Sequence, residues 1–186
     1  MEEKVPDLDE WSLWTAMRRL WSDHVIWTRQ YIVAAVAGTP DADQAAARLL
    51  KNQEDIGGAI AGFYGEEAGN ALTTLLKSHI LIAVDLVAAA KSGNKVAFNI
   101  HDRQWTKNAQ DIASFLSKAN PHWTRKDVLD LLELHLDLTK REAVARLTGD
   151  WADDVAAFDE IFAEILTLAD ALSDGIARQF SDRGAA

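Results

Sequence analysis

Three histidines lie in the middle of apolar helical stripes, and their spacing predicts that they meet inside the protein. The residues three, four and seven positions from His24, His79 and His135 are mostly apolar, so each imidazole lies at the centre of the buried face of its helix. Each histidine is also 14 residues from a predicted turn, and these turns are at Gly38, Gly93 and Pro121. Because a helix rises about 1.5 Å per residue, we expect the three rings at one level on three different helices.

The residues at this level predict a divalent metal site with His24, His79 and His135 as ligands, since neutral imidazoles and carboxylates commonly bind Zn, Fe and Ni in proteins. Three carboxylates are expected close by. Glu142 lies two turns beyond His135 on the same face, and Asp159 is predicted at the height of Glu142. Asp111 lies about one turn from Asn108, which is itself predicted at the level of the histidines. Asp111, Glu142 or Asp159 would supply a further ligand or a general base acting on metal-bound water.

The residues leave two other functions open. The first is a non-catalytic interaction or structural helical module, in which the core histidines are hydrogen-bonded packing residues that fix the helix register. The second is a small-molecule binder that uses tryptophan and histidine side chains without a metal. Ferritin-like di-iron chemistry is disfavoured because the sequence lacks Glu-x-x-His pairs. A nucleotide cofactor is not expected, since the sequence contains neither a Walker loop nor a dinucleotide fingerprint. Whether the protein is an enzyme, and on what substrate, stays open.

The elements that must position these side chains are predicted to be helices, because apolar residues recur at helical spacing and no alternating strand pattern is present. The segment from Asp41 to Phe63 is less regular, and Gly57-Gly58 predicts one or two short helices there. Short turns favour antiparallel neighbours, so we expect an all-α, antiparallel up-and-down bundle of four to five long helices with short connecting helices. The predicted long helices run from Trp11 to Ala37, Glu66 to Ser92, near Asn94 to just before Asn120, Thr124 to Gly149, and Asp150 to about Phe180.

Composition sets the broad class of protein. The 186 residues suffice for a single domain, with flexible ends expected at about 1–9 and 182–186. The net charge of −10 makes nucleic acid an unexpected partner. The chain has no cysteine, its start has no apolar signal region, and no apolar run is long enough to span a membrane. We therefore expect a cytoplasmic protein without membrane contact. A small-molecule ligand and a homodimer are both compatible with the sequence.

Several distinctive segments resemble a family of small, uncharacterised bacterial helical proteins. The resemblance covers nearly the whole chain and implies a helical-bundle architecture. Some members carry glycosyltransferase or acetylglutamate kinase labels, but both activities belong to α/β folds with nucleotide sites, so the resemblance implies no activity here. A more distant similarity to metal-binding bundles of the DinB type depends on the three inward histidines, whose spacing differs. The segments that carry the main resemblance are Leu20–Arg29, Phe63–Gly65, His79–Ala83, Trp105–Ala109, Asn120–Trp123, His135–Lys140 and Phe158–Ile161.

Overall fold

A computed structural model describes the backbone of residues 10–181 and the side chains of residues 12–180. All of the regular structure in this part of the chain is α-helical, which confirms the all-α prediction. The ends that were predicted to be flexible lie outside the described residues. The helices are α1 (Glu10–Ala37), α2 (Ala42–Tyr64), α3 (Glu66–Lys91), α4 (Lys95–Ala119), α5 (Arg125–Thr148) and α6 (Trp151–Ser181).

The predicted count of four to five long helices is not confirmed, because α2 is one continuous helix of 23 residues. Its glycines do not break the helix. Gly57 is accommodated because it packs closely against α3. A Cβ added at Gly57 would lie 1.8 Å from Thr73 Oγ1 and 2.7 Å from the carbonyl oxygen of Gly69. The missing side chain lets α2 and α3 approach closely, and the resulting contact offsets the low helix propensity of glycine.

The ends of the other helices follow the local capping signals in the sequence. The Thr124 hydroxyl accepts a hydrogen bond from the Asp127 amide at 3.1 Å, and the Asp150 carboxylate accepts one from the Asp153 amide at 3.1 Å. Gly149 ends α5 in the left-handed region, with φ of 76°. These side chains satisfy amides that the first helical turn leaves without partners.

The six helices form a closed ring in which every helix packs against the preceding and the following one, and α6 returns to α1. The histidine-bearing helices α1, α3 and α5 also contact one another. Large apolar side chains from the helices of the ring fill one shared core, among them Trp21, Ile112, Leu132 and Leu168. The fold therefore brings three non-consecutive helices together at its centre, where their buried faces meet.

One helix, α3, has the length and composition that a membrane span requires. Its most apolar window of 18 residues has a mean hydropathy of 1.6, and 33% of that window is buried inside the protein. A core helix of a soluble bundle passes the same test, so this feature leaves the compartment undecided.

Replacing Gly175 with alanine is expected to lower the free energy of unfolding by about 1–3 kcal/mol, the usual cost of overpacking a core. The added Cβ would lie 1.9 Å from Nε1 of the buried Trp123, whose indole donates to the Ala171 carbonyl oxygen. Gly58→Ala is the matched control, because a Cβ there meets nothing within 4 Å. Urea unfolding followed by tryptophan fluorescence should show Gly58→Ala gaining about 0.5–1 kcal/mol. Equal effects of the two substitutions would contradict the packing argument.

Candidate functional site

The imidazoles of His24, His79 and His135 come together in the centre of the ring of helices, as their spacing predicts. The ring centroids of His24 and His135 are 5.6 Å apart, and those of His79 and His135 are 6.3 Å apart. Each of the three residues is only 3–4% exposed to solvent. The histidine cluster, as we call these three residues, is therefore one buried group contributed by α1, α3 and α5.

Every imidazole of the histidine cluster has a polar partner at Nδ1 on the next helix along the chain. In all three cases the partner lies 29 residues after its histidine. Sequence reasoning placed Asn108 at this level but missed the other two partners. A sequence signal for them exists. The three histidines follow one another at nearly equal spacings of 55 and 56 residues, and a polar residue lies 29 positions after each of them. The partners of His24, His79 and His135 are, in that order, Gln53 at 3.3 Å, Asn108 at 2.8 Å and Glu164 at 3.0 Å.

Two of these partners define which ring nitrogen carries the proton. Asn108 donates its amide to the Leu75 carbonyl oxygen at 3.0 Å, so its own oxygen faces His79 and accepts from Nδ1–H. The Glu164 carboxylate likewise accepts from Nδ1–H of His135. In the tautomer that these hydrogen bonds select, the rings of His79 and His135 therefore carry their lone pair on Nε2. A carboxylate or carbonyl behind Nδ1 is the arrangement that orients metal-binding histidines.

The third partner, Gln53, has incomplete hydrogen bonding. Its Nε2 lies near three acceptors, which are Nδ1 of His24 at 3.3 Å, the Leu49 carbonyl oxygen at 2.8 Å and the Asn52 side-chain oxygen at 3.1 Å. An amide has only two hydrogens to give, so the longest of these contacts, to His24, is the weakest. The Gln53 Oε1 atom is buried and has no hydrogen-bond partner.

Unpaired buried polar atoms concentrate around the histidine cluster. Within the described side chains, five buried nitrogen or oxygen atoms lack a hydrogen-bond partner, and four of them belong to residues that contact one of the three histidines. Buried polar groups are normally paired, so a local excess of unpaired ones indicates a place that an ion, water or ligand completes. The four atoms are Nε1 of Trp21, Oε1 of Gln53, Nε1 of Trp105 and Oε1 of Glu164.

A small cavity adjoins the histidine cluster and is lined by all three histidines. Its volume is about 20 Å³, which is enough for one water molecule. Apart from the histidines its wall is largely apolar, with Trp105 on one side and Leu49 and Leu86 among the aliphatic residues. The three histidine rings therefore border a largely apolar space, whose wall also includes Lys140.

Burial keeps the imidazoles of His24 and His79 neutral. Burial, together with repulsion from the other rings, lowers the pKa of His24 well below its ordinary value. Burial, together with repulsion from His135, lowers the pKa of His79 to about 3, although the hydrogen bond that His79 donates to Asn108 opposes the shift. Protons therefore do not compete for these two rings at neutral pH, as metal binding requires.

The structure brings none of the three predicted carboxylates to the cavity wall. Glu142 is buried on the inner face of α5, but its Oε1 pairs with Arg29 Nη1 at 2.5 Å, and Arg29 also binds both carboxylate oxygens of Asp154. Burial raises the pKa of Glu142 to about 7, with Arg29 opposing the shift. Asp111 is half-exposed and forms an ion pair with Lys107 on its own helix.

Asp159 is exposed, and the predicted approach of Asp159 to Glu142 is not observed. The inner face of α6 is formed by Ala157, Ile161 and Glu164, so Asp159 lies on the opposite face of the helix. The carboxylate that does reach the histidine cluster is Glu164, one further turn into the core.

In the described residues as they stand, no group of three or more His, Cys, Asp or Glu side chains could hold a metal ion. The three imidazoles are close, but they would have to turn toward a common point before they could share one. No protein-family model matches the chain, and neither a curated protein nor a solved structure is significantly similar to it. The arguments about function therefore depend on the geometry of this site.

Proposed function

We propose that this protein binds one divalent transition-metal ion through His24, His79 and His135. The observation that carries the proposal is the separation of the rings. With metal–nitrogen distances of about 2.0–2.1 Å, neighbouring imidazole centroids around a tetrahedral ion lie about 5.2 Å apart. The two pairs that include His135, at 5.6 Å to His24 and 6.3 Å to His79, would each have to close by about 1 Å or less to reach this distance.

The outer hydrogen bonds support the same proposal. Asn108 and Glu164 hold Nδ1 of two rings and leave Nε2 as the ligand atom, as in other histidine metal sites. His24 would coordinate in the same way once Gln53 turns its unpaired Oε1 toward Nδ1 of the ring, which reverses the polarity of the present contact. Rearrangement of Gln53 is therefore part of metal binding in this proposal.

The ligand set limits the identity of the metal. Three imidazole ligands without a thiolate suit Zn, Fe or Ni better than Mg or Ca, which prefer oxygen ligands. Three protein ligands also leave one coordination position for water or substrate, so the site is compatible with metal-dependent catalysis on a substrate that we do not assign.

The proposal includes the antiparallel, up-and-down course of the chain. Its support comes from contacts between α1 and α6, where Arg18 pairs with Asp170 and Arg29 pairs with Asp154. As the residue number increases along α1, the number of its partner on α6 decreases, so these pairs support an antiparallel arrangement of the two helices. With this course, α1, α3 and α5 point the same way, and residues four positions after each histidine lie on one side of the histidine cluster.

Metal titration of the full chain tests the proposal. Protein stripped with a chelator should bind one Zn²⁺ or Co²⁺ per chain in calorimetry, and His135→Gln should abolish this binding. Glu164→Gln keeps the size of the side chain and should weaken binding by about 10–100-fold, the usual effect of losing an outer partner. His122→Gln is the control, since His122 is exposed in the turn before α5 and its loss should leave binding unchanged. A folded protein that takes up none of Zn²⁺, Co²⁺, Fe²⁺ or Ni²⁺ would show that the proposal is wrong.

A second candidate function is a structural or interaction module whose core histidines only fix the packing. It is favoured by the Nδ1 hydrogen bonds, which already give each ring a partner without a metal. Replacing a buried polar network with well-packed apolar groups is often neutral or stabilising. In this case His79→Leu together with Asn108→Leu would keep or raise the melting temperature, and added metal would not change it for either protein.

A further inference from the structure

A groove lies between α1 and α2 and shares no lining residue with the cavity beside the histidine cluster. Its volume is about 580 Å³, within the range of about 300–1,000 Å³ that small-molecule sites occupy. Two basic and two acidic side chains line it, which are Arg19 and Asp23 of α1 and Arg48 and Asp55 of α2. Their charges cancel, so this groove is locally neutral in a chain whose net charge is −10.

Arg48 lies between the two carboxylates of the groove but forms a hydrogen bond with neither. Its Nη2 is 3.8 Å from Oδ2 of Asp23, and its Nη1 is 3.8 Å from Oδ2 of Asp55, and both distances are too long for a hydrogen bond. The ring of Trp27 holds the guanidinium in place, with its centroid 5.6 Å from Cζ. The Nη1 atom is buried and has no hydrogen-bond partner among the described residues. A planar guanidinium with unused donors is suited to binding a carboxylate.

The rest of the chain indicates that the fold does not require these charges. Each histidine of the cluster is followed 14 residues later by a glycine with positive φ and 29 residues later by its hydrogen-bond partner. The helix pairs α1–α2, α3–α4 and α5–α6 therefore repeat one pattern. At the positions of Arg19, Asp23 and Asp55, the other two pairs do not repeat the charges. The corresponding residues are Thr74, Ser78 and Gln110 in the second pair, and Asp130, Leu134 and Leu166 in the third.

An α-amino acid carries the two charges that the groove can pair. Its carboxylate would accept hydrogen bonds from the two guanidinium groups, and its ammonium group would donate to the two aspartates. A simple anion is disfavoured by the net charge of the chain and by the aspartates beside Arg48. A simple cation is disfavoured by the two arginines. The balance of charges in the groove therefore favours a zwitterion.

The groove also has space for a side chain of the ligand. It continues along α1 toward the start of the helix, where Ser12, Thr15 and Ala16 line it. These side chains are small, and two of them carry a hydroxyl group that can donate or accept a hydrogen bond. This part of the groove is therefore suited to an uncharged polar side chain.

From the volume of the groove, its balanced charges and the Arg48 guanidinium without hydrogen bonds, we infer that the protein binds a free α-amino acid between α1 and α2. Arg19 and Arg48 bind the carboxylate, and Asp23 and Asp55 bind the ammonium group. The side chain of the ligand extends toward the start of α1. This site is separate from the histidine cluster and does not depend on a metal.

NMR titration of the full chain with L-glutamine, in the presence of a chelator, tests the inference. Because Trp27 packs on Arg48, its indole N–H signal should shift in a saturable way. N-acetyl-L-glutamine lacks the ammonium group and L-glutamine α-amide lacks the carboxylate, so each should bind at least about tenfold more weakly. Arg48→Gln should weaken the binding of L-glutamine by a similar factor. Arg103→Gln is the matched control, since Arg103 is exposed at the corresponding position of α4 and does not line the groove.

Ala16→Leu provides a second test that leaves all four charges in place. Ala16 is exposed, so the larger side chain should fill part of the groove and weaken the binding of L-glutamine while the melting temperature changes little. The inference is overturned if L-glutamine causes no saturable shift or if the two blocked compounds bind as well as L-glutamine does. Equal effects of Arg48→Gln and Arg103→Gln, or unchanged binding to Ala16→Leu, would also show that the ligand does not lie in this groove.

Discussion

Replacing Arg29 with methionine is expected to lower the free energy of unfolding by about 3 kcal/mol. Arg29 lies between two carboxylates that are almost completely buried, with Glu142 1% exposed and Asp154 1% exposed. Removing one partner of a buried ion pair typically costs about 3–5 kcal/mol, because the remaining charge loses its compensation. The lower end applies here, since Asp154 keeps an ion pair with Arg146 at 3.1 Å and Glu142, whose pKa is already raised to about 7, takes up a proton.

Arg18→Met provides the matched control for this experiment. Arg18 also joins α1 to α6, through a bidentate pair with Asp170, but its side chain is 52% exposed. An exposed ion pair contributes about 0–1 kcal/mol, so the two arginines should differ by at least about 2 kcal/mol in urea unfolding at pH 7. We call Arg29, Glu142 and Asp154 the Arg29 cluster. Similar losses of stability from both substitutions would mean that burial does not determine how much this cluster contributes.

The Arg29 cluster also explains why the sequence misassigned the carboxylates. Helical periodicity correctly predicted that Glu142 lies on the inner face of α5, together with His135. Periodicity gives the direction of a side chain relative to its own helix, but it does not say which residue of a neighbouring helix it meets. Arg29 occupies the space beside Glu142 and pairs with its buried carboxylate. The Arg29 side chain itself is partly exposed to solvent.

The convergence of the histidines was predictable because angle and height are both local quantities. Each depends only on the spacing of residues within a helix and on the nearest turn. The partners of the histidines were harder to predict, since Gln53 and Glu164 lie on helices whose rotation depends on packing around the whole ring. Gln53 is in addition part of α2, which the sequence did not predict as one continuous helix because of Gly57 and Gly58. The repeated interval of 29 residues is the sequence feature that contained this information.

Acid should destabilise the metal-free protein through the histidine cluster, and the sign follows from the direction of the pKa shifts. The pKa of His79 is lowered to about 3 in the folded protein, against about 6.5 in the unfolded chain. Between these values the unfolded state binds the additional proton, so stability is present at neutral pH and is lost as the pH falls. From pH 7 to pH 4.5 this histidine alone accounts for about 2 kcal/mol. His24, whose pKa is also lowered, adds to the loss.

Glu142 changes the stability in the opposite direction as the pH falls, so its contribution must be separated from that of the histidines. Its folded pKa of about 7 lies above the unfolded value, so the folded state binds the additional proton and this residue favours folding as the pH falls toward 4.5. The net slope of the unaltered protein therefore combines opposing contributions. A difference between two proteins that share Glu142 isolates the histidine.

His79→Gln is the variant that isolates it, because glutamine does not titrate and still has an amide to donate to Asn108. Urea unfolding in the presence of a chelator, at pH 7 and at pH 4.5, should show the variant losing about 2 kcal/mol less than the unaltered protein over this interval. His122→Gln removes an exposed histidine and should reproduce the unaltered pH dependence. If His79→Gln has the same pH dependence as well, the histidine takes up its proton without unfolding the protein. Its pKa would then be similar in the folded and unfolded states, and burial would not lower the pKa of His79.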